Sequence, residues 1–170
     1  MYSIDFERDR PYLTWESIRY GIEQGLLAPE SAQTYASKIS ESAPDTVDAC
    51  IVELLIAEPD DILTALRQIT AKPQFEQSGA ARALRAVLLF DACEAATSNR
   101  ELLLQTEEIY ADFENPADMD GLIYYLPSTD PDWDVTQHSE EENERHLAEK
   151  IRAFSTAEIH WLHSRFYNNE

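Results

Sequence analysis

Apolar residues recur every three to four positions along almost the whole chain, and this spacing limits what the chain can fold into. The stretch 79–96, GAARALRAVLLFDACEAA, is the most apolar and alanine-rich, which predicts a central helix. Near the start, Trp15 and Ile18 share one helical face, and Thr14 stands where it can cap that helix. Alternation typical of a strand is confined to residues 3–6, too few to build a sheet.

These patterns predict an all-α fold of about nine short helices, with no substantial sheet. The connections are short, so the helices are expected to stack as antiparallel pairs. A chain of 170 residues suits one domain, and we predict a single compact helical domain over 1–170. The longest irregular segment is an acidic loop at about 127–138, which contains two prolines.

Two capping boxes predict how the C-terminal part is divided. Ser139 is followed three residues later by Glu142, and Ser155 is followed in the same way by Glu158. They predict two helices, near 140–153 and 156–167.

The charge of the chain is its compositional outlier. It carries 33 acidic and 13 basic residues, for a net charge of −20. Such a field repels nucleic acid and anionic lipid and attracts basic partners. No run of apolar residues is long enough to span a bilayer, and the first residues lack the pattern of a secretory signal. We expect a cytoplasmic protein that binds neither nucleic acid nor membrane.

The acidic excess is concentrated in one region. Residues 101–144 hold fourteen Asp and Glu and no Lys or Arg, so they carry −14 of the net −20. A general bias toward solubility would spread the excess along the chain. The region also contains tyrosine and tryptophan, which are favoured at the centres of protein interfaces and bind cations with their faces.

This combination predicts a surface that receives a cationic protein partner. The predicted contact residues are carboxylates that supply charge and aromatic side chains that anchor the partner. They are Asp112, Glu114, Asp118, Asp120, Tyr124, Tyr125, Asp130, Asp132, Trp133 and Asp134.

The segment 130–141, DPDWDVTQHSEE, also permits a calcium-loop interpretation. Asp130, Asp132 and Asp134 occupy the first, third and fifth positions of such a loop, and Glu141 occupies the twelfth. The sixth position is Val135, where the sharp turn of an EF-hand needs glycine. An irregular acidic loop without a metal is the favoured interpretation, and calcium binding stays open.

The chain shows no sequence signature of an enzyme. It has four glycines and no glycine-rich phosphate loop, nucleophile motif or paired metal signature. His138 and His146 flank an acidic helix start and are expected to be solvated. We therefore predict no catalytic activity and no cofactor.

Two segments resemble a known family. They are LTWESIRYGIEQGLL at 13–27 and EEIYADFENPADMDGLIYYLP at 107–127, the second followed by HSEEEN at 138–143. Both are similar to a family of small acidic bacterial proteins that is known only as a domain of unknown function. Its members resemble immunity proteins of polymorphic and contact-dependent toxin systems.

The resemblance implies an immunity protein that neutralises the C-terminal domain of a cognate toxin. A nuclease is the expected toxin, because a cleft that grips nucleic acid is basic and suits an acidic inhibitor. The alternative is a helical adaptor for another basic partner, with part of the acidity serving solubility. An enzyme is the third and least favoured interpretation.

Overall fold

A computed structural model of the chain describes residues 1–42, 47–71, 79–128 and 130–167. The described residues form α-helices and short 3-10 helices, so the all-α prediction is confirmed. Their one β-type pairing is an isolated bridge between Tyr2 and Leu27. The α-helices are α1 (Phe6–Asp9), α2 (Trp15–Glu23), α3 (Glu30–Ser42), α4 (Ala49–Leu55), α5 (Ile62–Thr70), α6 (Ala80–Ala95), α7 (Asn99–Asp112) and α8 (Glu140–Tyr167). The 3-10 helices are Arg10–Tyr12, Ala117–Leu122 and Val135–Gln137.

The contacts within the chain divide it into two compact units, Met1–Leu84 and Arg85–Glu170. The prediction of one domain over the whole chain stays a prediction. No helix in the described parts of the chain is both long enough and apolar enough to cross a membrane.

The first unit is built on α2, which packs against α5 and α3. Thr14 caps α2 as predicted, since its Oγ1 accepts a 3.1 Å hydrogen bond from the amide of Ser17. Ile18 faces inward and is fully buried. After α2, Gly25 adopts φ +70°, a left-handed conformation that glycine reaches without strain, and the chain turns back there.

The second unit is built on α7 and α8, which pack against each other. Ser98 caps α7 by accepting a 3.1 Å hydrogen bond from the amide of Glu101. At the start of α8, the predicted capping box of Ser139 and Glu142 is present. The Ser139 amide donates to the Glu142 carboxylate at 2.8 Å, and the Glu142 amide donates to the Ser139 hydroxyl at 3.2 Å.

The second predicted capping box is wrong, because α8 continues from Glu140 to Tyr167 without a break. Ser155 and Glu158 lie inside the helix, where both are buried. They belong to its inner face, whose buried residues recur at spacings of three and four: Ala148, Ile151, Ser155, Glu158 and Leu162. The i, i+3 spacing occurs both in capping boxes and along the buried face of a helix. For Ser155 and Glu158 it arises from the buried face of α8.

The segment after α7 contains a helix that the sequence predicts to run from Pro116 through Tyr125 but that ends at Leu122. Its 3-10 helix runs from Ala117 to Leu122, with Pro116 at its N-cap. Met119 and Leu122 hold it on the core because both side chains are buried. The chain then turns at Tyr124 and Tyr125, which therefore lie outside any helix.

Candidate functional site

The predicted aromatic anchors lie at the surface of the second unit. Tyr125 is 62% exposed and Tyr124 is 39% exposed, while Trp133 is half-buried. Because Tyr124 and Tyr125 occupy a turn, both side chains face outward. A helix would have turned one of them away. The nearby Tyr110 is buried.

Trp133 lies between two imidazole rings. The His138 ring stacks on the indole at a centroid distance of 3.8 Å, and the His146 ring stacks at 4.0 Å. The indole N–H donates a 2.9 Å hydrogen bond to Asn143 Oδ1. The prediction that both histidines are solvated is wrong, since each is half-buried against the indole. Both faces of Trp133 are thus covered within the chain, and its role here is to hold the loop onto α8.

Asp130 joins the same loop to α8. Its Oδ2 lies 3.0 Å from His146 Nε2 and 4.0 Å from Lys150 Nζ. Its Oδ1 accepts a 3.1 Å hydrogen bond from the amide of Asp132. This amide, with further help from His146 and Lys150, holds the pKa of Asp130 below its usual range. The Asp130 carboxylate is therefore a structural clamp as well as a negative charge.

Asp134 has a local structural role. It caps the 3-10 helix Val135–Gln137, and its carboxylate accepts hydrogen bonds from the hydroxyl and amide of Thr136 and from the side chain of Gln137. The Thr136 hydroxyl is the main reason that the pKa of Asp134 is lowered. A charge reversal at this position would disturb the turn as well as the surface potential.

Asp118 and Asp120 tie the 3-10 helix Ala117–Leu122 to the rest of the second unit. Asp118 accepts from both terminal nitrogens of Arg85, one of them at 2.8 Å. Arg85 is buried and also approaches Glu158, with 3.7 Å between Nη2 and Oε2. Asp120 accepts a 2.7 Å hydrogen bond from the Tyr110 hydroxyl.

The remaining predicted carboxylates lie open to solvent. Asp112, Glu114 and Asp132 are all exposed. Glu114 adopts φ +61°, and Asn115 adopts φ +56°, so the chain makes a left-handed turn as it leaves α7. The exposed carboxylates and the two exposed tyrosines of the second unit, Asp112, Glu114, Tyr124, Tyr125 and Asp132, are together called the acidic aromatic surface below.

Cations from outside the acidic region neutralise part of it, which the sequence does not show. Arg85 pairs with Asp118, and Lys150 lies by Asp130. Arg100 pairs with Glu144 at 3.0 Å, and its guanidinium lies 5.5 Å from the centroid of the Tyr124 ring. Residues 101–144 thus contain no Lys or Arg, but basic side chains from elsewhere in the chain lie next to several of their carboxylates.

A cavity of about 340 Å³ lies beside Tyr124 and Trp133, within the second unit. Its apolar wall includes Ile123, Leu126 and Leu147. Its polar lining is Asp120, Ser128, Asn143, His146 and Lys150. A mostly apolar cavity with a few convergent polar groups is the usual form of a ligand or side-chain pocket. Sequence reasoning missed it because its walls come from three separate segments.

The calcium interpretation gains no support from the geometry of the loop. Among the described residues, no three His, Cys, Asp or Glu side chains are placed to share a metal ion. Asp130 faces His146, and Asp134 faces Thr136. Thr129 lies outside the described residues.

The described residues thus form an all-α protein with exposed carboxylates and two exposed tyrosines in its second unit, where a small apolar cavity lies beside Tyr124. The family model described as "Uncharacterized protein conserved in bacteria (DUF2247)" matches residues 4–159, and the chain belongs to this family. No curated protein and no solved structure matches the chain. The predicted resemblance to an uncharacterised bacterial family is thereby confirmed, while the resemblance to immunity proteins stays a prediction.

Proposed function

We propose that the protein is an immunity protein, which binds and neutralises a cognate bacterial toxin domain through the acidic aromatic surface. The observation that carries this proposal is the outward position of Tyr124 and Tyr125, with an apolar cavity beside Tyr124. Two adjacent tyrosines at the surface place apolar area in water, which folding alone does not favour. A partner that covers them would remove this area from solvent.

The charge of the surface selects the kind of partner. Exposed carboxylates at Asp112, Glu114 and Asp132 favour a surface that presents Lys and Arg. Tyr124 already holds the Arg100 guanidinium near its ring, so a tyrosine of this surface accepts a cation. A nuclease cleft has the required positive potential, because it must bind phosphates.

Electrostatic attraction would also help the protein to capture its toxin quickly. An inhibitor must reach the toxin before the toxin reaches its substrate, and complementary charge raises association rates by one to three orders of magnitude at low salt. The net charge of −20 supplies a long-range field of the right sign. In this proposal the protein acts in the cytoplasm, where an incoming toxin meets its substrate.

The direct test is co-expression with the product of the neighbouring gene. If that product ends in a toxin domain, cells that express the domain alone should stop growing, and cells that also express this chain should grow. The purified pair should elute as one complex. Tyr125→Ala should weaken that complex at least about tenfold, as expected for an interface anchor. Ile56→Ala, at a 78% exposed position of the first unit, is the matched control and should leave affinity unchanged.

The second candidate is a helical adaptor for a basic partner that is not a toxin. The intramolecular roles of Asp118, Asp120, Asp130 and Asp134 favour it, since much of the acidity serves the fold of this chain. The co-expression test separates the two. A stable complex with a neighbour that is not toxic supports the adaptor, and full toxicity in the presence of a purified complex contradicts immunity.

A further inference from the structure

We propose that the cavity in the second unit is an anchor pocket for one Arg or Lys side chain of the partner, with Asp120 as the residue that receives its charged end. This inference rests on the proposed function, because it identifies the chemistry of the partner residue at the same surface. It goes beyond general charge attraction, since it assigns one cation to one pocket.

The charged groups that line the cavity differ in where they are directed. Lys150 and His146 both face Asp130, with Lys150 Nζ at 4.0 Å and His146 Nε2 at 3.0 Å from its Oδ2. Asp120 is different: in the part of the chain that the structure describes, its carboxylate shows one hydrogen bond, from Tyr110 to Oδ1. A half-buried carboxylate with an oxygen still available to accept is best satisfied by a charged donor.

Tyr110 occupies one oxygen of that carboxylate. Its hydroxyl donates a 2.7 Å hydrogen bond to Asp120 Oδ1, and this bond is the main cause that raises the pKa of Tyr110 to about 12. The other oxygen of Asp120 is the one that a charged donor in the cavity would reach.

The rest of the cavity fits the remainder of a long basic side chain. Ile123, Leu126 and Leu147 supply an apolar wall for the methylene stem. Lysine and arginine commonly bury such stems while the charged end finds a partner. Tyr124 lies at the same cavity, and Arg100 shows that its ring accepts a guanidinium.

The size of the cavity points to a single side chain. Pockets for small ligands span about 300 to 1,000 Å³. The cavity, at about 340 Å³, is at the small end of that range. It has no room for a helix or a strand of the partner, which would lie across the acidic aromatic surface outside it.

The experiment uses amino-acid amides as probes, so it needs no toxin. The isotope-labelled full chain is titrated with N-acetyl-arginine methylamide and, as the uncharged isostere, with N-acetyl-citrulline methylamide. The arginine probe is expected to shift resonances of Asp120, Tyr124 and Leu126, with a dissociation constant of about millimolar order, as befits a small fragment. The citrulline probe is expected to bind at least about tenfold more weakly, because it lacks the charge.

Two variants and one charge-matched control identify the pocket. Asp120→Asn keeps an acceptor for Tyr110 but removes the charge, and should weaken the arginine probe at least about tenfold. Glu108→Gln makes the same change in net charge at an exposed position of α7 that does not line the cavity, and should have little effect. Leu147→Phe, which fills the apolar wall, should also abolish binding, and it tests the pocket without altering charge.

Equal binding of the arginine and citrulline probes, or shifts confined to residues away from the cavity, would overturn the anchor pocket. So would equal effects of Asp120→Asn and Glu108→Gln. None of these outcomes bears on neutralisation of a toxin, which the co-expression test decides by itself.

Discussion

Tyr110 and Asp120 are joined by a 2.7 Å hydrogen bond that ties the end of α7 to the 3-10 helix Ala117–Leu122. The Tyr110 ring is buried, while Asp120 lines the cavity. The pair therefore connects the packed interior of the second unit to its candidate binding surface. It also fixes the direction in which the Asp120 carboxylate points.

Removal of the Asp120 charge should change the titration of Tyr110. The hydrogen bond to Asp120 is the main cause that raises the pKa of Tyr110 from 10.0 to about 12. In Asp120→Asn the pKa of Tyr110 should fall toward 10, because the neutral amide no longer disfavours the phenolate. Carbon NMR of ζ-labelled tyrosine measures this directly, and Tyr110→Phe assigns the signal. A value near 12 in Asp120→Asn would show that burial, and not the carboxylate, raises this pKa.

Loss of Arg85 should destabilise the second unit strongly. Arg85 is buried and contacts Asp118 and the buried Glu158. Arg85→Met removes a buried cation that faces two carboxylates, and should lower the free energy of unfolding by about 3 kcal/mol. Urea denaturation measures the change.

The double variant Arg85→Met/Glu158→Leu is the control for that prediction. It removes both buried charges, so it should be less destabilised than Arg85→Met alone. If the two variants are equally unstable, the loss comes from packing of the Arg85 side chain and not from its interaction with the charge of Glu158.

The Ser139–Glu142 capping box should contribute stability that depends on pH. Hydrogen bonds from the amide and hydroxyl of Ser139 hold the pKa of Glu142 below its usual value of 4.5. A depressed pKa stabilises the fold above the unfolded-state value, and that stability is lost as pH falls through the folded-state value. The difference in unfolding free energy between wild type and Glu142→Gln should therefore be largest above pH 4.5 and shrink below it.

Ser139→Ala removes the other half of the same box and should cost about 1 kcal/mol at neutral pH. Thermal and urea unfolding at a series of pH values measure both variants. A difference for Glu142→Gln that is independent of pH would contradict the assigned role of the Glu142 charge.

Asn143 should hold Trp133 in place. Its side chain accepts from the indole N–H at 2.9 Å and donates to the Val135 carbonyl at 3.0 Å. In Asn143→Ala the indole N–H should exchange with solvent at least about tenfold faster, because a lost hydrogen bond of about 1.4 kcal/mol corresponds to that factor. Hydrogen exchange of the assigned indole resonance measures it. Ser164→Ala, on α8 but away from the loop in sequence, is the control; equal exchange in both variants would remove Asn143 from this role.

Local sequence signals predict the helices well where a side chain caps its own backbone. Thr14 and Ser139 both cap the helices that they are expected to begin. The same logic is wrong at Ser155, because its spacing to Glu158 also places both on the inner face of α8. A hydrogen bond to a near neighbour can be inferred from sequence, whereas the choice between a cap and a buried face depends on what packs against the helix.

The candidate site is harder to predict from the sequence than the helices are, because it also depends on tertiary contacts. Exposure of Tyr124 and Tyr125 is consistent with the pattern of adjacent aromatic residues. The partners of the carboxylates cannot be predicted from the sequence, since Arg85 and His146 are distant along the chain from the aspartates that they contact. Charge within a segment can be counted, but neutralisation depends on tertiary contacts.

The association rate with the cognate toxin domain, measured against salt concentration, tests the central claim most directly. We predict a fast rate that falls steeply with salt, and a loss of at least about tenfold with a flatter salt dependence in Glu114→Lys/Asp132→Lys. Glu58→Lys/Asp60→Lys makes the same change in net charge at exposed positions of the first unit, and should stay near wild type. Equal rates and equal salt dependence for the two double variants would contradict the claim that the acidic aromatic surface receives the partner.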